Sequence, residues 1–196
     1  GFPWILELNL FDLFIGILWL YLKGSLKMLN KSRPVYKLNL KKQLKNKKEE
    51  LIKDILNSKH KDTGSGYNFR LFTKYKDYLY DLFIKESKKI LNPFTFKDKN
   101  FKVWCYFSGP ADHRTLWHSH TKTANINCVI YLQTIKDYGV EFELYQQAWY
   151  VEPKNFDMLI FPGFLSHRPM TSSTQKRISL NLELRCEENE KDIFGL

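Results

Sequence analysis

The segment Arg177-Ile178-Ser179-Leu180-Asn181-Leu182-Glu183-Leu184 alternates polar and apolar residues without a break. Successive side chains of an extended chain point to opposite faces. One face is therefore Ile178, Leu180, Leu182 and Leu184, and the other is Arg177, Ser179, Asn181 and Glu183. A plain surface strand would turn the polar face to solvent. Alternatively, helices cover the apolar face and the polar face lines a cavity.

The segments upstream bear on that choice. From Phe101 onward the hydrophobic period is two, with candidate strands at Phe101–Phe107, Leu116–His120, Asn125–Gln133, Val140–Tyr145, Ala148–Val151, Met158–Phe161, His167–Met170 and Arg177–Arg185. Before Phe101 the period is that of helices. Pro34 to Leu40 alternates and reads as one short strand. Leu40 to Leu56 then places apolar residues at 40, 44, 51, 52, 55 and 56 on one side. A loop with Gly64-Ser65-Gly66 separates it from a second amphipathic helix, predicted from Phe69 to Leu91 with Leu71 and Phe72 on its apolar face, which Asn92-Pro93 ends. Helices first and short strands after predict an α+β chain, a β-sandwich with helices laid on one sheet.

The 196 residues suffice for one domain with a real core and a short extension, and the aromatic content of 16% argues against disorder. Cys105, Cys128 and Cys186 are far apart and form no CxxC pair, which fits neither a zinc knuckle nor a disulfide framework and points to a reducing, cytoplasmic compartment. The net charge of +10 could suggest nucleic acid, but residues 23–61 hold 13 Lys/Arg against 3 Asp/Glu, whereas residues 62–196 hold 18 against 16. The basic character therefore belongs to one N-terminal stretch, read first as a solvated lysine-rich face.

Residues 1–33 form an apolar helical extension in this reading. Glu7, Asn9 and Asp12 interrupt it, leaving ten uninterrupted apolar residues from Leu13 to Leu22. A spanning helix needs about 20. A helix packed on the domain or on a partner is the first expectation, and an interfacial membrane helix followed by lysines is the second.

The chemistry starts at Trp117-His118-Ser119-His120. Two histidines at i and i+2 of a strand project to one side and can share a metal ion, and neutral imidazole suits iron, zinc, copper or nickel. The chain has five histidines, and a third candidate, His167, closes Phe161-Pro162-Gly163-Phe164-Leu165-Ser166-His167. Ten residues on lies Arg177, with Ser179 two further. An arginine facing a cavity seeks a carboxylate or phosphate, which it can hold with two parallel hydrogen bonds.

In this order and spacing the residues resemble the 2-oxoglutarate- and iron-dependent oxygenases, whose signature is H-x-D/E, a distal His, and Arg-x-Ser about ten residues later. Tyr150-Val151-Glu152-Pro153 through Phe161-Pro162 is similar to the family's turn and strand before the distal His. Tyr106-Phe107-Ser108-Gly109 resembles its Y-x-x-G, and Tyr131-Leu132 with Gly139-Val140-Glu141-Phe142 its Y-L…G-x-x-F. The likeness covers roughly residues 34–186. It is nearer to small phage and bacterial proteins carrying H-x-H, and more distant to prolyl hydroxylases.

The resemblance implies a double-stranded β-helix, a jelly-roll and cupin-like fold, over 34–196. It implies Fe(II) on His118, His120 and His167, and 2-oxoglutarate held by Arg177 and Ser179 with Tyr106 or Tyr131 adding a hydrogen bond. The implied activity is hydroxylase-type C–H oxidation of a small molecule or peptide, in a bacterial or phage-infected cell. His120 departs from the pattern, because it stands where the facial triad has a carboxylate. Three histidines are the ligand set of cupin-type dioxygenases that need no 2-oxoglutarate, so that function is the alternative. A non-catalytic jelly-roll binding module is the third, and a nucleic-acid modifier is a subset of the first.

Overall fold

A computed structural model describes residues 33–57, 68–70, 75–95, 102–108, 116–170 and 177–196; for 68–70 and 102–108 the description is of the backbone alone. Contacts divide the chain into two units at Arg33 and Pro34. The expected helix of residues 1–33, the Gly64-Ser65-Gly66 loop, and Leu71 and Phe72 lie outside the described residues. No helix among the described residues is long and apolar enough to cross a membrane.

The elements follow the chain as β1 (Tyr36–Asn39), α1 (Lys41–Leu44), a 3-10 turn (Lys45–Lys47), α2 (Lys48–Asn57), β2 (Asn68–Arg70), α3 (Lys76–Ser87), β3 (Lys102–Ser108), β4 (Ile126–Gln133), β5 (Val140–Leu144), β6 (Gln147–Val151), β7 (Asp157–Pro162), β8 (Ser166–Pro169), β9 (Arg177–Leu184) and α4 (Glu190–Phe194). Six strands make one antiparallel sheet in the order β1-β7-β4-β9-β3-β2, and three make a second in the order β6-β5-β8. This is an α+β arrangement with the N-terminal helices packed on the larger sheet of a double-stranded β-helix, as the sequence predicts.

β9 lies between β4 and β3, so both of its edges are hydrogen-bonded. Its apolar face is covered. Ile178, Leu180, Leu182 and Leu184 join Ile126, Cys128 and Ile130 of β4 in one cluster with Leu40, Leu44, Leu51, Ile55, Leu79, Leu82 and Phe83 from the helical segments. Burying each of these side chains stabilises the fold by about 1.5–3 kcal/mol, and Leu180→Ala would cost about 2–5 kcal/mol. The polar face therefore turns to the space between the sheets. There Arg177, Ser179 and Glu183 are buried beside a second, smaller apolar cluster of Tyr131, Val140, Phe142, Leu159, Phe161 and Leu165.

Three expectations are corrected. The helix predicted from Phe69 does not begin there: Asn68–Arg70 is a strand paired with Trp104, Cys105 and Tyr106 of β3, and the described helix runs over Lys76–Ser87. The helix predicted over 40–56 is divided by the 3-10 turn. Leu116–His120 forms no ladder strand. It makes a single bridge, His118 to His167, after which His120 N–H donates to Gly163 O at 2.8 Å. A short helix outside the predicted elements, α4, ends the chain; its Asn189 side chain accepts from Asp192 N–H and its Gly195 takes φ 65° at the C-terminal end.

Candidate metal centre

The hydrogen bonds around Gly163 and His167 bring the histidines together. His118 and His167 exchange both backbone hydrogen bonds, at 3.0 and 2.9 Å. Thr123 and Ala124 N–H donate to His120 O, closing the turn that feeds β4. The result is a cluster in which the ligand atoms of His118, His120 and His167 all lie within 4.8 Å of one another. Ring centroids are 4.3 Å apart for His118–His167, 5.2 Å for His120–His167 and 5.3 Å for His118–His120. His167 is buried, His120 is half-buried and His118 faces solvent.

The tautomers follow from the hydrogen bonds. His118 Nδ1 lies 3.0 Å from Leu116 O, and His167 Nδ1 lies 3.0 Å from Leu165 O. A carbonyl oxygen can only accept, so each Nδ1 carries the proton. His120 Nδ1 lies 2.6 Å from Glu183 Oε1 and donates to a carboxylate in the same way. An imidazole in its neutral form with Nδ1 so protonated carries its lone pair on Nε2. That donor set fits a metal ion: three imidazoles, each oriented by an oxygen on its Nδ1.

His167 is further prepared by its surroundings. The rings of Phe161 and Phe142 stand 4.8 and 6.0 Å away. Burial, and secondarily the neighbouring His118, push its pKa down from 6.5 to about 3. Its lone pair is thus not lost to a proton near neutral pH.

The polar face of β9 supplies the remaining predicted residues. Arg177 is 2% exposed and donates from Nη1 to Gly139 O at 3.1 Å and Met170 O at 3.2 Å. Ser179 is buried, and in register it stands between Tyr131 of β4 and Tyr106 of β3. Burial pushes the Tyr131 hydroxyl up to about 12, with Arg177 acting in the opposite direction, so Tyr131 remains a hydrogen-bond donor. The side chain of Tyr106 is outside the described atoms.

Two further residues of this interior stand outside the predicted site. Glu183 holds His120, and Asn127 stands opposite Glu183 on β4. The signal for Glu183 was present: it shares a strand face with Arg177 and Ser179. Nothing local marks which imidazole it meets.

Solved structures with this architecture are known. An oxidoreductase of the 2OG-Fe(II) oxygenase family from Burkholderia pseudomallei matches with a TM-score of 0.63 at 9% identity, over 83% of this chain and 89% of that one. A prolyl hydroxylase from Trichoplax adhaerens, solved with a hypoxia inducible factor peptide, matches with a TM-score of 0.58 at 11% identity, over 85% and 90%. The viral collagen prolyl hydroxylase of Paramecium Bursaria Chlorella virus-1 matches with a TM-score of 0.53 at 12% identity, over 80% and 91%. No family model and no curated protein matches the sequence. The described domain thus has the double-stranded β-helix fold of the 2-oxoglutarate- and iron-dependent oxygenases. Within that fold it carries a cluster of three histidines suited to a metal ion, with no carboxylate among them.

Proposed function

We propose that this protein is an iron-dependent dioxygenase of the three-histidine, cupin-like kind, holding its metal through His118, His120 and His167 without need of 2-oxoglutarate. The observation that carries the reading is the convergence of three imidazoles, each with its Nδ1 engaged by an oxygen. Iron bound there would supply dioxygen activation. The chain's own part is to orient the rings and to keep the His167 side of the metal dry with Phe142 and Phe161.

A second reading, the 2-oxoglutarate-dependent hydroxylase, is favoured by one specific observation. Arg177 donates to Met170 O, and Met170 is three residues beyond His167. A dicarboxylate with one end on the metal would have in Arg177, beside Ser179 and Tyr131, a cation for its other end.

One experiment separates the two. Protein loaded anaerobically with Fe(II) is titrated with 2-oxoglutarate and followed by visible absorption. The three-histidine reading expects one iron per chain and no metal-to-cosubstrate charge-transfer band. A saturable band abolished by Arg177→Leu would replace it with the second reading. Failure to bind iron at all would remove both.

A further inference from the structure

Of the three histidines, His120 alone has its Nδ1 on a side chain. Its partner Glu183 reaches it at 2.6 Å, with the two side chains 19% and 8% exposed respectively. The placement is rigid. Glu183 is paired in register with Asn127 of β4 on one side and Lys102 of β3 on the other, so its backbone is held by ladders on both edges. Its side chain points into the space between the sheets, as do those of Arg177 and Ser179. A carboxylate in so dry a place is costly unless something specific compensates it. The group it meets is the Nδ1–H of His120.

We infer that Glu183 is the acidic member of this metal centre, set back by one imidazole: it accepts the Nδ1–H of His120, holds that ring with Nε2 toward the metal, and lends the site the negative charge that a ligating carboxylate would give directly. The inference rests on the metal-binding reading above and makes Glu183 a positioning residue. A carboxylate behind a ligating histidine fixes the tautomer and raises the basicity of the ligand nitrogen. The peptide carbonyls behind His118 and His167 fix their tautomers equally well but carry no charge. The three ligands therefore differ: two rings are backed by dipoles and one by an ion.

This arrangement makes a prediction whose sign reverses with the residue at position 120. With histidine there, Glu183→Gln removes the charge while keeping the volume and an acceptor oxygen. Fe(II) affinity, measured anaerobically by competition with a chromophoric chelator, should fall by about 10–100-fold. In a His120→Asp background a carboxylate already faces the metal, and Glu183 becomes a like charge beside it. There Glu183→Gln should tighten Fe(II) binding. A role for Glu183 in stability alone would shift both backgrounds in the same direction or neither, and either result overturns the inference.

His167→Ala serves as the control. If that variant keeps full iron affinity, the metal site itself is wrong. If it loses iron while Glu183→Gln changes nothing, only the assignment of Glu183 falls. Should the variants not fold, the unsubstituted metal-free protein still answers through nitrogen NMR. His120 protonated on Nδ1 agrees with the inference, and His120 protonated on Nε2 overturns it.

Discussion

Asn127 stands directly across the β4–β9 ladder from Glu183, and both polar atoms of its amide are buried with no hydrogen-bond partner among the described residues. An orphaned buried amide costs about 1–3 kcal/mol relative to a satisfied one, whereas an apolar group of similar shape carries no such penalty. Asn127→Leu is therefore expected to raise the melting temperature of the metal-free protein. For a chain of this size 1 kcal/mol corresponds to about 2–4 °C. A calorimetric scan showing a fall of similar size would mean that the amide is satisfied after all.

Gly163 has no room for a side chain. A Cβ built there would lie 1.9 Å from Ala124 O, a main-chain atom that cannot swing aside. Gly163 also accepts from His120 N–H and donates to Asn125 O. Gly163→Ala should thus cost about 3 kcal/mol of stability. It should weaken metal binding as well, because the displaced peptide is the one that anchors His120. Urea unfolding and iron titration of the same variant check both; unchanged iron affinity would show that His120 is anchored elsewhere.

The depressed pKa of His167 makes the metal-free protein sensitive to mild acid. Above pH 6.5 the side chain is neutral whether the chain is folded or unfolded, and its contribution is fully present. Between 6.5 and about 3 the unfolded chain takes up a proton that the folded chain refuses. Stability then falls with decreasing pH by at most about 1.4 kcal/mol per unit from this residue. Denaturation midpoints measured at pH 7.5 and 4.5 should differ less in His167→Gln than in the unsubstituted protein. Equal differences would refute the depressed value.

Arg177 holds two carbonyls as well as facing the interior. Arg177→Leu removes the donor from Gly139 O and Met170 O, at a cost of about 1.5–3 kcal/mol per charged hydrogen bond. Iron affinity should stay within about threefold, since the bonds that orient the three imidazoles go to Leu116, Leu165 and Glu183. A large loss of iron would mean that the guanidinium shapes the metal site.

The alternation in 177–184 carried most of the architecture, because a central strand that packs one face on an apolar core and turns the other to a polar interior leaves a period-two record. The histidine cluster was legible for a related reason: three residues of one rare type fell at positions that pairing could bring together. Other features depended on contacts that no local pattern encodes. His118 pairs with His167 and His120 with Gly163. Two residues on one side thus match four on the other, and the turn at Gly163–Leu165 absorbs the difference, so no ladder forms where alternation predicted a strand. Phe69 has helical spacing to the residues after it, yet the unpaired edge of β3 claims Asn68–Arg70. The five residues of α4 are too few for periodicity to speak, although Asn189 and Gly195 mark its ends. The pairing of Glu183 with His120 joins residues 63 positions apart and emerges only once β9 lies beneath the turn after His120.

His118 and His167 each bond the carbonyl two residues before themselves, Leu116 O and Leu165 O. A carbonyl belongs to every amino acid, so no point substitution at 116 or 165 deletes it. The orientation of these two imidazoles is inherited with the path of the main chain and is silent to ordinary mutation. Position 183 is different, since a single codon change there alters what stands behind the third ring. Across descendants of this sequence, the charge behind the histidine cluster could drift or be selected through that one residue while the positions of the three imidazoles stayed the same.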